Sequence, residues 1–144
     1  MSTDEMMKAM PMADAATMDT TAMQACIDAC SACLQACTMC SDAMSSMDGM
    51  GRCASMCATC ADVCLAMMRM MMRPASMDAA VLRPMLEACI AVCRACMAEC
   101  SSHAEMSETC RLCAMACEDC ASACEAMLAT LPAWPALRDG PSLR

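Results

Sequence analysis

Tyrosine and phenylalanine are absent from this sequence, tryptophan and histidine occur once each, and glycine only three times. Without aromatic and β-branched runs there is little from which to build a sheet. There is no aromatic platform and no basic patch, and the net charge is −8, so nucleic acid is not an expected partner. A single histidine, no Ser–His–acid arrangement and no glycine-rich phosphate loop leave no catalytic constellation, so the chain does not read as an enzyme. Continuous apolar runs are short and every predicted helix carries charge, so no membrane span is expected. Asp4, Glu5 and Lys8 spoil both the basic start and the apolar core of a secretory signal. A cytoplasmic location is the expectation.

What remains is sulfur: 18 cysteines and 23 methionines in 144 residues. Cys26, Cys30, Cys33, Cys37 and Cys40 step by four, three, four and three residues. At helical periodicity these positions fall within an arc of roughly 80°, one stripe of thiols on an α-helix. No Gly or Pro interrupts the run, and Ala, Gln, Leu and Met lie between. The stripe recurs as Cys53, Cys57, Cys60 and Cys64, as Cys89, Cys93, Cys96 and Cys100, and as Cys110, Cys113, Cys117, Cys120 and Cys124. None of the 18 cysteines is left over. Four helices with matching seams predict an all-α fold, an up-down-up-down four-helix bundle with a Cys-lined core.

The chain divides into a loosely ordered, Met-rich leader over 1–20, the bundle over 21–131 and a tail over 132–144. The leader's methionines are soft donors, though an unstructured tail is the plainer reading. Thr21-Ala-Met-Gln24 has the form of a capping box and opens the first long helix, which should run to Met44. Ser45–Gly51 reads as a loop. The second helix should span Gly51–Arg73 and stop at Pro74. Ser76 or Asp78 can cap a short turn, with Pro84 in the first turn of a third helix reaching Ala104. Ser107 begins the fourth helix, which should end near Leu131. Five methionines between Met67 and Met72 cannot share one helix face, and packing is their simplest role. Trp134 anchors the tail, with nothing functional inferred from it.

The halves look duplicated. A shift of 63 places Cys26, Cys30, Cys33 and Cys37 on the third run and Cys40 on His103; a shift of 60 places the second run on the fourth and Met50 on Cys110. The two exceptions, His103 and Met50, are themselves metal-ligand types. Cysteine as plain core would leave the bundle without branched bulk. Disulfides suit loop-rich secreted scaffolds rather than regular helical spacing, and iron–sulfur motifs place their ligands on loops. Soft metal ions fit best. Zinc in four-thiolate sites leaves a buried charge of −2 each time. Cu(I) is satisfied by two or three sulfurs, and bridging thiolates bring the core near neutrality.

Four helices bearing C-x3-C-x2-C-x3-C repeats, over residues 21 to about 131, resemble the cytosolic bacterial copper storage proteins. The resemblance implies storage of many Cu(I) ions along a Cys-lined bundle, assembly into a homotetramer, and a His near the mouth, here His103, that helps ions in. Zinc buffering or general soft-metal detoxification is the alternative. His103, Met106, Met47 and Met50 should share the end at which copper enters. Met23, Met67, Met71, Leu82, Met85, Met127 and Leu131 should form an apolar plug at the other.

Overall fold

The computed structural model describes residues 2–11 and 19–131. These form five α-helices and one 3-10 turn, with no strand among the described residues. The helices are α1 (Thr3–Ala9), α2 (Thr20–Ser45), α3 (Gly51–Met71), α4 (Ala79–Ser101) and α5 (Glu108–Ala129). Trp134 and the leader methionines Met12 and Met18 lie outside the described residues.

Three of the four long helices begin where an Asp or Ser side chain takes up an orphan backbone N–H, and α3, entered from Met50, has no side-chain cap. Asp19 accepts from Ala22 N at 3.0 Å, so α2 starts before the expected Thr21–Gln24 box. Gln24 instead donates to Thr3 Oγ1 and Asp28 Oδ1. Ser107 accepts from Cys110 N at 3.2 Å and opens α5 as expected. The α2–α3 turn closes through Gly49, whose φ of +77° is the left-handed conformation that favours glycine.

Two local expectations are overturned. Asp78 caps α4 itself, accepting from Ala80 N at 2.8 Å, so Pro84 lies inside the helix rather than in its first turn. A proline there costs about 3 kcal/mol. Leu82 and Leu86 are both fully buried on the same helix, each contributing about 1.5–3 kcal/mol. Tertiary burial thus outweighs the local penalty. Residues Thr3–Ala9, read as part of a loosely ordered leader, form a helix with a complete Ser2–Glu5 capping box and a buried Met7.

The four long helices pack as a ring, α2 against α3 and α5, and α4 against α3 and α5. Their seams run past the cysteines in an unbroken alternation of three and four. In α2 the seam runs from Met23 to Met44, in α3 from Met50 to Met71, in α4 from Leu82 to Cys100, and in α5 from Cys110 to Leu131. Every one of these positions is buried, and no polar or charged residue is buried among the described residues. Leu86 occupies the plug position expected for Met85, because it, not Met85, lies three residues before Cys89.

Helix α3 is long and apolar enough to cross a membrane by length and composition, with a mean hydropathy of 1.3, contrary to the expectation that no segment qualifies. A third of that apolar stretch is buried, including Cys53, Cys57, Cys60 and Cys64, while Leu65 stays exposed.

Candidate metal centre

The seams converge so that thiols meet in layers. From α2 to α5, Cys26 faces Cys124 at 3.6 Å, Cys30 faces Cys120 at 3.5 Å, Cys37 faces Cys113 at 3.6 Å and Cys40 faces Cys110 at 3.9 Å. From α3 to α4, Cys57 lies 3.5 Å from Cys100 and Cys64 lies 3.8 Å from Cys93. Both helix pairs therefore run in opposite directions. Across the diagonals, Cys37 and Cys96 are 4.0 Å apart, and Cys64 and Cys120 are 3.8 Å apart. All 18 cysteines are buried and free.

Sets of four sulfurs gather within 4.8 Å of one another, among them Cys30–Cys89–Cys120–Cys124 and Cys40–Cys53–Cys57–Cys100. In the middle of the core the sets overlap. Cys33 and Cys60 belong both to the group with Cys37 and Cys117 and to the group with Cys64 and Cys93. Cys37 and Cys117 belong also to a group with Cys96 and Cys113. Two sulfurs each about 2.3 Å from a shared ion stand ~3.8 Å apart in a tetrahedral site and ~4.0 Å in a trigonal one. Spacing therefore admits either soft ion, and the overlap means that ions in neighbouring groups would share bridging thiolates.

Protonation follows from burial and from the S–H···S contacts. Loss of solvent pushes the Cys53 thiol up to about 11 and Cys40 up to about 12, the latter helped by Cys113 and Cys110. Deeper in the core, sulfurs that receive S–H donors are held low. Cys26 falls to about 5 through its contacts with Cys124 and Cys30, and Cys60 to about 6 chiefly through Cys117. Their donors, such as Cys117, are held well above the ordinary thiol range. Carrying many thiolates together in this dry space requires cations.

At the histidine end, polar side chains of α3 and α4 meet. The His103 side chain, only 23% exposed, lies with Nε2 3.4 Å from Glu99 Oε1. Arg52 Nε donates to the other oxygen of the same carboxylate at 3.3 Å. Met50 is buried as the residue preceding α3. Met47 and Met106 stay exposed and add nothing to the core. Met44, which the sequence reading passed over, is buried against the last thiol layer, and Cys110 donates to its Sδ at 3.5 Å. Its signal was present: Met44 continues the seam four residues beyond Cys40.

Together the ring of helices and its thiol interior define a helical protein that sequesters soft metal ions. The chain matches the model of the copper storage protein family over residues 19–129, and it belongs to that family. Its family stores copper. Among solved structures it is similar to the copper storage protein Ccsp from Streptomyces lividans loaded with 10 copper equivalents, with a TM-score of 0.86 and 41% identity over 90% of this chain and 100% of that one. The structure of a cytosolic copper storage protein from Streptomyces lividans with five coppers matches with a TM-score of 0.76 and 44% identity, over 78% of this chain and 96% of that one. No match is found among curated proteins.

Proposed function

We propose that the segment 21–131 is an up-down-up-down bundle that stores Cu(I) in the cytosol on the thiolates of its 18 cysteines. The opposed registers of α2 with α5 and of α3 with α4 support that topology. The observation that carries the metal reading is the sharing of Cys33, Cys37, Cys60 and Cys117 between neighbouring sulfur groups. A shared sulfur bridges two ions, and Cu(I) with bridging thiolates leaves the interior near neutral where zinc would leave it anionic.

His103 and Met50 admit ions, passing them to Cys53, Cys100 and Cys110 without holding them as firmly as paired thiolates do. The Glu99 carboxylate orients the imidazole at this mouth. At the opposite end the plug of Met23, Met67, Met71, Leu82, Leu86, Met127 and Leu131 closes the tube. No catalytic role is proposed. A homotetramer is the assembly that family resemblance implies, and light scattering of the copper-loaded protein tests it.

Anaerobic Cu(I) titration against a chelator, followed by metal counting, tests the function. Capacity runs from about 9 ions with unshared thiolate pairs to about 18–20 with bridging. Fewer than about six Cu(I) per chain overturns storage. Saturation by four or five Zn(II) in preference to Cu(I) replaces it with zinc buffering.

A further inference from the structure

Outside the thiol core, the helix at the start of the chain builds a second set of sulfurs. Met7 anchors α1 to the bundle with only 5% exposure, and the Gln24–Thr3 hydrogen bond of 3.1 Å ties α1 to α2. This fixes Met6 and Met10, four residues apart, on one side of the anchor. Side chains at that spacing on a helical turn are neighbours. Both line a cavity of about 300 Å³ that is closed by Met72 from the end of α3 and by Ile27 from α2. Met10 also lines an adjoining cavity of about 400 Å³ with Met70 and Met77. Met6 and Met72 keep 51% and 42% of their surface exposed, so a small ion reaches them from solvent.

The methionines that serve as bulk in the plug, Met23, Met67, Met71 and Met127, are fully buried, whereas Met6 and Met72 at the α1 cavity stay exposed. The α1 cavity instead brings together thioethers from two distant segments. Thioether sulfur is a soft, neutral donor that selects Cu(I) over Zn(II) and over hard cations. It takes a metal without releasing a proton, whereas a neutral thiol must lose one.

We propose that Met6, Met10 and Met72 form a thioether site for one Cu(I) ion on the outside of the plugged end, separate from the thiol store. The inference rests on the reading that this chain handles Cu(I), but not on how the core holds it. The test uses the full chain with carbon-13-labelled methionine methyls and Cu(I) supplied anaerobically as its acetonitrile complex, added beyond core saturation. The methyl signals of Met6, Met10 and Met72 will move together and saturate at one further equivalent, with no accompanying proton release. Those of Met39 and Met106, 71% and 72% exposed, will stay put. The volume-conserving variant M6L/M10L/M72L will lose that equivalent and keep the core's capacity. The proposal is overturned if the three methyls do not move, or if Met39 and Met106 move equally. Copper–thiolate absorption reads the core independently, so an unfilled core with shifted methyls sinks the storage reading and leaves this site standing.

Discussion

The Sγ of Cys110 donates to the Sδ of Met44 at 3.5 Å, so the column of thiols ends on a thioether at the histidine end. Thioether sulfur binds soft ions without a charge, and thiolate binds them with one. On the proposed entry route, an ion that reaches Met44 meets a donor that gives it up readily to the thiols below. Met44→Leu conserves volume and will cost less than about 1.5 kcal/mol of apoprotein stability. It will leave the copper capacity within one ion of the parent but slow the first phase of uptake. Stopped-flow absorbance of copper–thiolate formation checks this, and an unchanged rate removes Met44 from the path.

Alkaline pH will unfold the apoprotein before it unfolds copper-loaded chains. Burial raises the folded Cys53 and Cys40 thiols from 9.0 to about 11 and about 12. Groups raised in this way contribute stability that is complete below pH 9 and is lost as pH climbs toward 11–12. For Cys53 alone the loss approaches about 3 kcal/mol. Cys26 and Cys60, held low, act in the opposite sense, but their contribution grows between their folded values and pH 9 and is constant above it. They do not blunt the alkaline loss. Thermal melts under reductant at pH 8 and pH 11 measure it, and equal melting temperatures would falsify the assignment.

Most of the candidate site was legible because the thiol seam is a one-dimensional pattern with helical period. Each of the 18 cysteines is buried, and His103 and Met50 lie at the same end of the seams. Less legible was whatever depended on contacts between elements. Pro84 reads locally as a helix start, yet the burial of Leu82 and Leu86 carries the helix back through it. The α1 helix was missed because seven residues form a marginal helix in isolation, and its support comes from Met7 and Gln24 docking on the bundle. Met44 was less legible because it continues the seam's register without carrying its thiol.

Sulfur sharing predicts unequal effects from equivalent substitutions. Cys37 lies within 4.0 Å of Cys33, Cys96, Cys113 and Cys117 and bridges two sulfur groups. Cys26 sits at the edge of the thiol column, 3.6 Å from Cys124. Cys37→Ser will lower Cu(I) capacity by about two ions and Cys26→Ser by about one at most, since a bridging donor serves two metals. Anaerobic titration with metal counting reads both. Equal losses would mean that the ions occupy separate closed sites. Apo far-UV spectra, helical in both variants, guard against misfolding.

Pro84 offers a test of the fold that leaves the metal chemistry alone. It lies in the second turn of α4, exposed, where it removes the backbone hydrogen bond that Ala80's carbonyl would accept. Replacing it with Ala restores that bond and relieves the ring's clash, which together are worth up to about 3 kcal/mol. Part of this is offset because proline also stiffens the unfolded chain, by about 0.4–1 kcal/mol. Pro84→Ala will therefore stabilise the apoprotein by about 1–2 kcal/mol, with Cu(I) capacity unchanged. Denaturant unfolding monitored by far-UV dichroism measures the gain. A loss of stability would mean that α4 does not continue through residue 84, and with it the extension of the apolar seam from Leu86 to Leu82 would fail.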